Sequence, residues 1–194
     1  MNTPIAELVA GVAPHVVDCP AGVLQLELRR AVSRFLNDSG VWQVTATEFV
    51  EKGENLFAVR DALVDLPAQA YVRGVMGVRV DGRDVPFTIG RSATVEQVRL
   101  QFALIRDAEV QADCMLGQSP GEPMMDAGIA ARYGDAICLL ARGLVYALPG
   151  RPYTDLAAHA VVMAEYHEKL SDANLDRVRG GYGGDAVNPL PEYI

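Results

Sequence analysis

Two consecutive segments near the C-terminal end of the chain carry helical apolar stripes, and they constrain the fold more than any other feature. In the first segment, large apolar residues recur at spacings of four and three, as one buried helix face requires: Tyr133, Ile137, Leu140, Leu144 and Leu148. The second segment repeats this spacing with Leu156, Ala160, Met163, His167, Leu170 and Asn174. We therefore predict two amphipathic helices between Tyr133 and Arg179, with these stripes facing the core.

The break between the two segments predicts a helical hairpin. Pro149 has no N–H to continue a helix, and Gly150 readily adopts a positive φ. Thr154 and Asp155 offer side-chain oxygens to cap the next helix. A connection this short makes the two helices antiparallel neighbours.

A third core helix is predicted near the N-terminus. Residues 1–17 form a short helix or an arm, with apolar side chains at Ile5, Leu8, Val9 and Val12. The helix then starts at Asp18-Cys19-Pro20, because Asp caps helices and Pro is tolerated in the first turn. Its stripe ends at residues 37–40, which tolerate the left-handed conformation, and consists of Leu24, Leu28, Ala31, Val32, Phe35 and Leu36.

The period then changes to two, which predicts strands over residues 42–49, 56–59 and 71–80, with a turn at 52–55. Asp81-Gly82 predicts a type I′ hairpin over 78–85, and Pro86 restricts the returning strand to a sheet edge or end. Residues 94–105 fit a helix or a strand. Because Val110, Ala112, Cys114 and Leu116 alternate cleanly afterwards, we favour a second hairpin turning at Arg106-Asp107, followed by a loop over 118–128.

These elements predict an α+β fold: a helical bundle, formed by an N-terminal helix and a C-terminal helical hairpin, with an inserted β-rich subdomain and an extended C-terminal tail. The expected divisions are an N-terminal arm (1–17), the helical bundle (18–40 and 129–179), the β-rich insertion (41–128) and the tail (180–194).

The tail combines a glycine-rich joint, Gly180-Gly181-Tyr182-Gly183-Gly184, with an apolar segment stiffened by prolines. Extended segments with spaced apolar side chains suit docking in a groove or addition to a sheet edge. We predict that the tail binds a partner or a neighbouring subunit through Tyr182, Val187, Pro189, Leu190, Pro191, Tyr193 and Ile194.

Charge and cysteine content exclude several functional classes. With 194 residues and a formal net charge of −8, the chain has one sizeable core and a surface that repels phosphate, so binding in a nucleic-acid groove is not expected. Cys19, Cys114 and Cys138 are too widely spaced for a disulfide framework or a zinc knuckle, and suggest reduced, partly buried thiols. The N-terminus has neither a basic region nor a long apolar run, so we expect a soluble protein without a conventional export signal.

No motif predicts an active site. Gly117-Gln118-Ser119-Pro120-Gly121 matches G-x-S-x-G formally, but Pro120 has no N–H for an oxyanion hole, so we interpret the motif as a loop. His159 and His167 do not share a metal-binding face. We interpret Asp155 and His159 as a surface pair and His167 as a buried core imidazole. His15 is predicted to stand alone in a mobile arm. We predict no catalytic, cofactor-binding or metal-binding residues.

Two blocks of the sequence resemble head-to-tail connector (adaptor) proteins of tailed bacteriophages. One block is Asp18-Cys19-Pro20 before a helix that runs to Phe35 and ends near Val41-Trp42. The other runs from Tyr133-Gly134-Asp135-Ala136-Ile137 through Ala141-Arg142-Gly143-Leu144 to Leu148-Pro149-Gly150-Arg151-Pro152-Tyr153, before a long helix and an Arg/Gly tail. Tyr153 stands where the family pattern has a Trp, and the β-rich insertion matches only in type.

The resemblance implies a structural virion protein that is not an enzyme. It would be made in the bacterial host cytoplasm and would lie in the neck at the portal vertex. Its partners would be the portal protein, further copies of itself in a ring, usually of twelve subunits, and a downstream tail or neck protein. DNA would pass through the channel without specific binding, which suits an acidic wall.

Two alternatives remain open at this point. Another neck component, such as a stopper or a tail-tube end protein, would be more wholly β. A small intracellular enzyme of unrecognised type would have a pocket with convergent polar groups and perturbed pKa values.

Overall fold

The computed structural model describes residues 2–63, 66, 68–89 and 95–178, and these residues form a mixed α+β fold. The α-helices of the described part are α1 (Val9–Val12), α2 (Ala21–Ser39), α3 (Ala127–Tyr146) and α4 (Leu156–Val178). The strands are β1 (Asn2–Pro4), β2 (Gln43–Val50), β3 (Leu56–Ala58), β4 (Ala70–Val80), β5 (Arg83–Asp84), β6 (Phe87–Ile89), β7 (Gln97–Leu100), β8 (Ala108–Gln118) and β9 (Met124–Asp126). The predicted α+β class is confirmed.

The strands form three antiparallel sheets in the orders β2-β8-β4-β5, β3-β7-β6 and β1-β9. Strand β8 is the centre of the largest sheet, and one of its faces is fully buried through the predicted alternation of Val110, Ala112, Cys114 and Leu116. This face and α2 belong to a single hydrophobic core, to which the N-terminal arm, α3 and α4 also contribute.

Helix α2 buries the stripe that its spacing predicts, and it ends at Gly40, whose φ of 61° is the left-handed conformation expected of a C-terminal cap. The predicted N-terminal cap is wrong. Asp18 has a positive φ of 63° and makes a turn between the arm and the helix, and no side chain caps the first turn after Pro20. The left-handed turn takes Asp18 away from the free N–H groups.

The N-terminal arm is packed against the rest of the chain. Strand β1 pairs with β9, and the side chains of Ile5, Val12 and Val16 are buried. The carbonyl of His15 accepts a hydrogen bond of 2.6 Å from the Tyr146 hydroxyl on α3. The prediction that His15 lies in a mobile arm is therefore wrong.

The hairpin at Asp81-Gly82 is confirmed, since both residues have positive φ and β4 pairs with the two-residue strand β5. The second predicted hairpin is wrong. Residues 97–100 do form a strand, β7, but it pairs with β3 and β6 in another sheet, and β8 pairs with β2 and β4. The turn at residues 52–55 binds the segment that connects β7 to β8, because Gly53 N–H donates to the Leu104 carbonyl at 2.8 Å. This contact prevents β7 from folding back directly onto β8.

Residues 118–128 are more ordered than the predicted loop. Buried Glu122 accepts hydrogen bonds from the backbone N–H groups of Gln69, at 2.9 Å, and Met124, at 3.1 Å. These bonds place residues 124–126 as strand β9 beside β1. Asp126 then caps α3 by accepting from the N–H groups of Gly128 and Ile129.

Helices α3 and α4 form the predicted antiparallel neighbours across a turn in which Gly150 has a φ of 67°. Asp155 caps α4 by accepting from Ala158 N–H at 2.9 Å, whereas Thr154 closes the turn by bonding the backbone of Leu148 and Arg151. Helix α3 buries Tyr133, Ile137 and Leu140 as predicted, with Leu144 and Leu148 half-buried.

The predicted stripe of α4 is partly wrong. Its buried residues are Val162, Tyr166 and Ala173, while Met163, Leu170 and Asn174 lie at the margin. Leu156, Ala160 and His167 are exposed. The ring of Tyr166 has more apolar area to bury than the imidazole of His167. The orientation of α4 that places Tyr166 in the core is therefore favoured. No helix in the described ranges has the length and hydropathy that crossing a bilayer requires.

Candidate functional site

Helix α4 has a second apolar face that no described residue covers. We call Ala157, Val161, Ala164, Leu175 and Val178 the α4 ridge; all five are exposed, including Val161 at 60% and Val178 at 77%. At about 100° per residue, this set lies nearly opposite the buried Val162 and Tyr166. A helix that is apolar on two opposite sides is typical of one that packs between two neighbours.

The middle of the ridge is acidic. Glu168 lies in line with the ridge between Ala164 and Leu175, and Glu165 and Asp172 lie to one side of it; all three are exposed, whereas Lys169 lies further round the helix. None of the three carboxylates makes an ion pair within the described part of the chain. They are therefore available to cations on another molecule.

The opposite side of α4 is fixed tightly to α3. A Cβ atom at Gly143 would lie 2.7 Å from the Met163 sulfur, so the glycine allows a close approach between the two helices. The His159 ring nitrogen Nδ1 donates to the Gly143 carbonyl at 2.8 Å, which replaces the predicted surface pair of His159 with Asp155. At the far end Asp176 accepts from the Tyr133 hydroxyl at 3.2 Å and from Arg132 at 2.9 Å. The ridge is thus presented on a well-anchored helix.

An open groove of about 570 Å³ lies between α2 and the C-terminal end of α3. Its α3 side is apolar, with Leu144, Ala147 and Leu148, and Pro120 adds an apolar wall. Its α2 side is charged and polar, with Glu27, Arg30, Ser33, Arg34, Asn37 and Asp38. We call this feature the α2–α3 groove.

The arginines of the groove keep unused hydrogen-bond donors. Arg30 bonds the buried carboxylate of Glu27 through one terminal nitrogen at 2.7 Å, and its side chain is still 53% exposed. Arg34 approaches Asp38 at 3.4 Å through Nε alone. Because a guanidinium has five N–H donors in a planar fork, both side chains can bind further carboxylates.

The β-rich part exposes a smaller apolar group at one end of the large sheet. Phe49, near the end of β2, is 75% exposed, and Ile105, in the segment leading to β8, is 87% exposed. Phe102 and Leu56 are also exposed nearby in this part of the chain. Large apolar side chains concentrated in one region of a surface are typical of contact sites.

The thiols are held in their protonated form. Burial, reinforced by nearby Asp113, raises the pKa of Cys114 to about 12. Burial is also the main reason that the pKa of Cys138 rises to about 11 and that the pKa of Cys19 is raised. A nucleophilic thiol requires a lowered pKa, so these three residues lack that activation at neutral pH.

The other residues weighed for chemistry do not converge. His167 is exposed on α4 rather than buried, and His159 serves the α3–α4 contact. Ser119 follows the end of β8 in a turn, where its hydroxyl accepts from Gly121 N–H at 3.3 Å, in line with the predicted loop. Within the described ranges, no three His, Cys, Asp or Glu side chains are grouped so that they could hold a metal ion.

The residues predicted to bind a partner are Tyr182, Val187, Pro189, Leu190, Pro191, Tyr193 and Ile194, and they lie outside the described residues. Their role stays a prediction. The described chain ends at Val178, beside Arg177, whose side chain lies against Gly40 at the end of α2.

No known protein-family model matches the chain, and no curated protein matches it significantly.

Sequence reasoning missed both the α4 ridge and the α2–α3 groove. The sequence signal for the ridge is short: Ala157, Val161 and Ala164 are spaced by four and three, but the next two positions of the series are Glu168 and Ser171. The groove had no such signal, because its two walls come from segments more than one hundred residues apart in the chain.

Proposed function

We propose that this protein is a structural component of a bacteriophage neck, a head-to-tail connector whose copies form a ring between the portal and the tail. The observation that carries the proposal is the α4 ridge, whose exposed apolar side chains lie towards the two ends of one helix face, with Glu168 and Ser171 in line between them. Such a face on a stably folded helix is expected to be covered by another protein chain.

A ring requires that each copy offers its contacts on a rigid body. In the proposed arrangement, α2, α3 and α4 act as a helical bundle, with the segment 41–128 inserted as a β-rich subdomain. The mutual contacts of the three helices support this arrangement. Side-by-side packing of the bundles would close the ring, usually of twelve subunits.

The net charge of −8 supports a passage for DNA rather than a binding site for it. Phosphates are repelled by an acidic wall, so DNA would move through the channel without adhering to it. The exposed apolar group around Phe49 and Ile105 suits contact with the downstream tail or neck protein. The long helices favour an adaptor over a stopper or a tail-tube end protein, which would be more wholly β.

The tail supplies the contact with the portal in this proposal. Removing residues 181–194 should abolish binding to the portal ring of the same phage, because the apolar anchors Leu190, Tyr193 and Ile194 are lost. The experiment is co-sedimentation with the purified portal ring, with a thermal melt to confirm that the shortened chain is folded. A shortened chain that binds the portal as well as the full chain does would refute this role.

A further inference from the structure

The α2–α3 groove and the α4 ridge lie on different sides of the molecule. The ridge is on the face of α4 turned away from α3, while the groove is bordered by α2, the end of α3 and Pro120. The ridge of one copy therefore cannot enter its own groove. Each copy presents one convex apolar surface and one concave surface.

The two surfaces have complementary chemistry. In the ridge, Glu168 lies between the apolar ends, with Glu165 and Asp172 beside it, and none of the three has an ion-pair partner in the described chain. In the groove, the apolar wall of Leu144, Ala147 and Leu148 faces the half-exposed Arg30 and Arg34, which pair with Glu27 and Asp38 and keep further N–H donors. Packing one into the other pairs apolar with apolar surface and carboxylate with guanidinium.

The dimensions also agree. The groove extends along α2 from Glu27 to Asp38, and the stretch from Val161 to Asp172 on α4 covers the same number of residues, about 16 Å of helix. The ridge begins with small side chains at Ala157 and Ala164, and exposed Ala160 lies beside them; small residues allow two helices to approach closely. The middle of the ridge contains all three carboxylates.

We propose that the α4 ridge of one copy packs into the α2–α3 groove of the next copy, with Glu168 and its acidic neighbours pairing with Arg30 and Arg34. This inference rests on the proposed function and names the interface of the ring. Because the two surfaces differ, the contact is head-to-tail, and a contact of this kind produces closed rings or open chains of copies rather than symmetric dimers.

Disulfide trapping tests the pairing directly. The tested variant has Cys19→Ser and Cys138→Ser as its background. Every copy carries both Val161→Cys on the ridge and Ala147→Cys in the groove. Mild oxidation at millimolar protein concentration should give a ladder of dimers, trimers and larger species on a non-reducing gel. The matched control carries Met76→Cys, exposed on β4, in place of Val161→Cys, and should give no ladder.

The other outcomes overturn the inference in distinguishable ways. A product that stops at dimers, or the same product from Val161→Cys alone, means that the contact is symmetric; self-association then stands, but the ridge–groove pairing is wrong. No crosslinked product means that the two surfaces do not meet. In both cases the proposed connector role is judged separately, by the stoichiometry of the intact protein on the portal.

A charge reversal tests the ion pairs. Adding Glu168→Arg to the double-cysteine copy should lower the initial rate of ladder formation about tenfold, because an arginine would then face Arg30 and Arg34. Glu48→Arg on β2 makes the same charge change away from the ridge and should leave the rate unchanged. Equal rates for the two variants would overturn the assignment of the carboxylates.

Discussion

Buried polar groups at single positions determine how the segments of this protein meet. Glu122 is 4% exposed, and each of its carboxylate oxygens accepts a backbone N–H from a different segment, Gln69 or Met124. Hydrogen bonds from backbone N–H groups to a buried carboxylate contribute to stability, and removing the carboxylate loses them. Glu122 thereby holds β9 in place for the N-terminal strand β1.

Substitution of Glu122 tests this role. Glu122→Ala should lower the free energy of unfolding by about 1–3 kcal/mol, since two hydrogen bonds to a buried carboxylate are lost. Glu54→Ala, which removes an exposed carboxylate from a turn, should change the free energy by less than about 0.5 kcal/mol. Urea unfolding of the two variants measures both values, and equal small effects would contradict the role of Glu122.

The raised pKa of Cys114 predicts how stability depends on alkaline pH. The thiol ionises near its ordinary value of 9.0 in the unfolded chain, but burial keeps it protonated to about 12 in the fold. Its contribution to stability is therefore intact below pH 9 and is lost as the pH rises from 9 towards 12. Over that window the free energy of unfolding should fall by about 1.4 kcal/mol per pH unit for this thiol.

Cys114→Ala provides the comparison. The variant should be less stable at pH 7 because of the smaller side chain, but its stability should fall less steeply between pH 9 and 11 than that of the parent protein. Chemical unfolding at several pH values measures both slopes. Parallel slopes would mean that the Cys114 thiol does not titrate as described.

Single residues also mark the limit of local sequence reasoning. Gly40, Gly150, Asp81 and Gly82 have the positive φ angles that were predicted from residue type alone. The same kind of signal predicts a helix cap at Asp18, which instead adopts a left-handed conformation with a φ of 63°. The choice between the two depends on the packing of the arm, which lies beyond the local pattern.

At the scale of elements, α4 has two apolar faces, and spacing alone cannot tell which of them the rest of the fold covers. The predicted stripe repeats at intervals of four and three throughout, and the ridge does so over Ala157, Val161 and Ala164. Tyr166 decides the orientation, because its buried ring fills the space next to α2 and α3. The position of α4 could be predicted, but the face that it presents to a partner could not.

Two adjacent valines, Val162 on the buried face of α4 and Val161 on the ridge, allow the two faces to be tested separately. Val162→Ala, in the buried face, should destabilise the fold by about 1–2 kcal/mol, because buried methyl groups are removed. Val161→Ala, on the ridge, should change monomer stability by less than about 0.5 kcal/mol but weaken self-association. Urea unfolding measures stability, and sedimentation at millimolar protein concentration measures self-association; a large loss of stability in Val161→Ala would contradict the ridge.

The strands show a related limit. Alternation correctly predicted β2, β4 and β8, and it predicted a strand within the ambiguous region, where β7 is found. It could not assign β7 to its sheet, since sequence neighbours pair only when the chain between them permits it. Here the 52–55 turn bonds the 100–104 segment and keeps β7 apart from β8.

At the scale of the whole molecule, the α+β class and the antiparallel α3–α4 pair were predictable because they follow from composition and spacing. The α2–α3 groove was not, because it joins parts of the chain that are distant in sequence. The connector proposal combines the resemblance of two sequence blocks with an uncovered helix face, an acidic surface and thiols that are held protonated.

The most direct test of the connector proposal is the mass, by light scattering, of the purified protein alone and mixed with the portal ring of the same phage. At micromolar concentration we expect a monomer alone, since a ring formed before packaging ends would serve no purpose. With the portal we expect a complex of fixed and high stoichiometry, near twelve copies. A protein whose mass is unaffected by the portal would contradict the proposal.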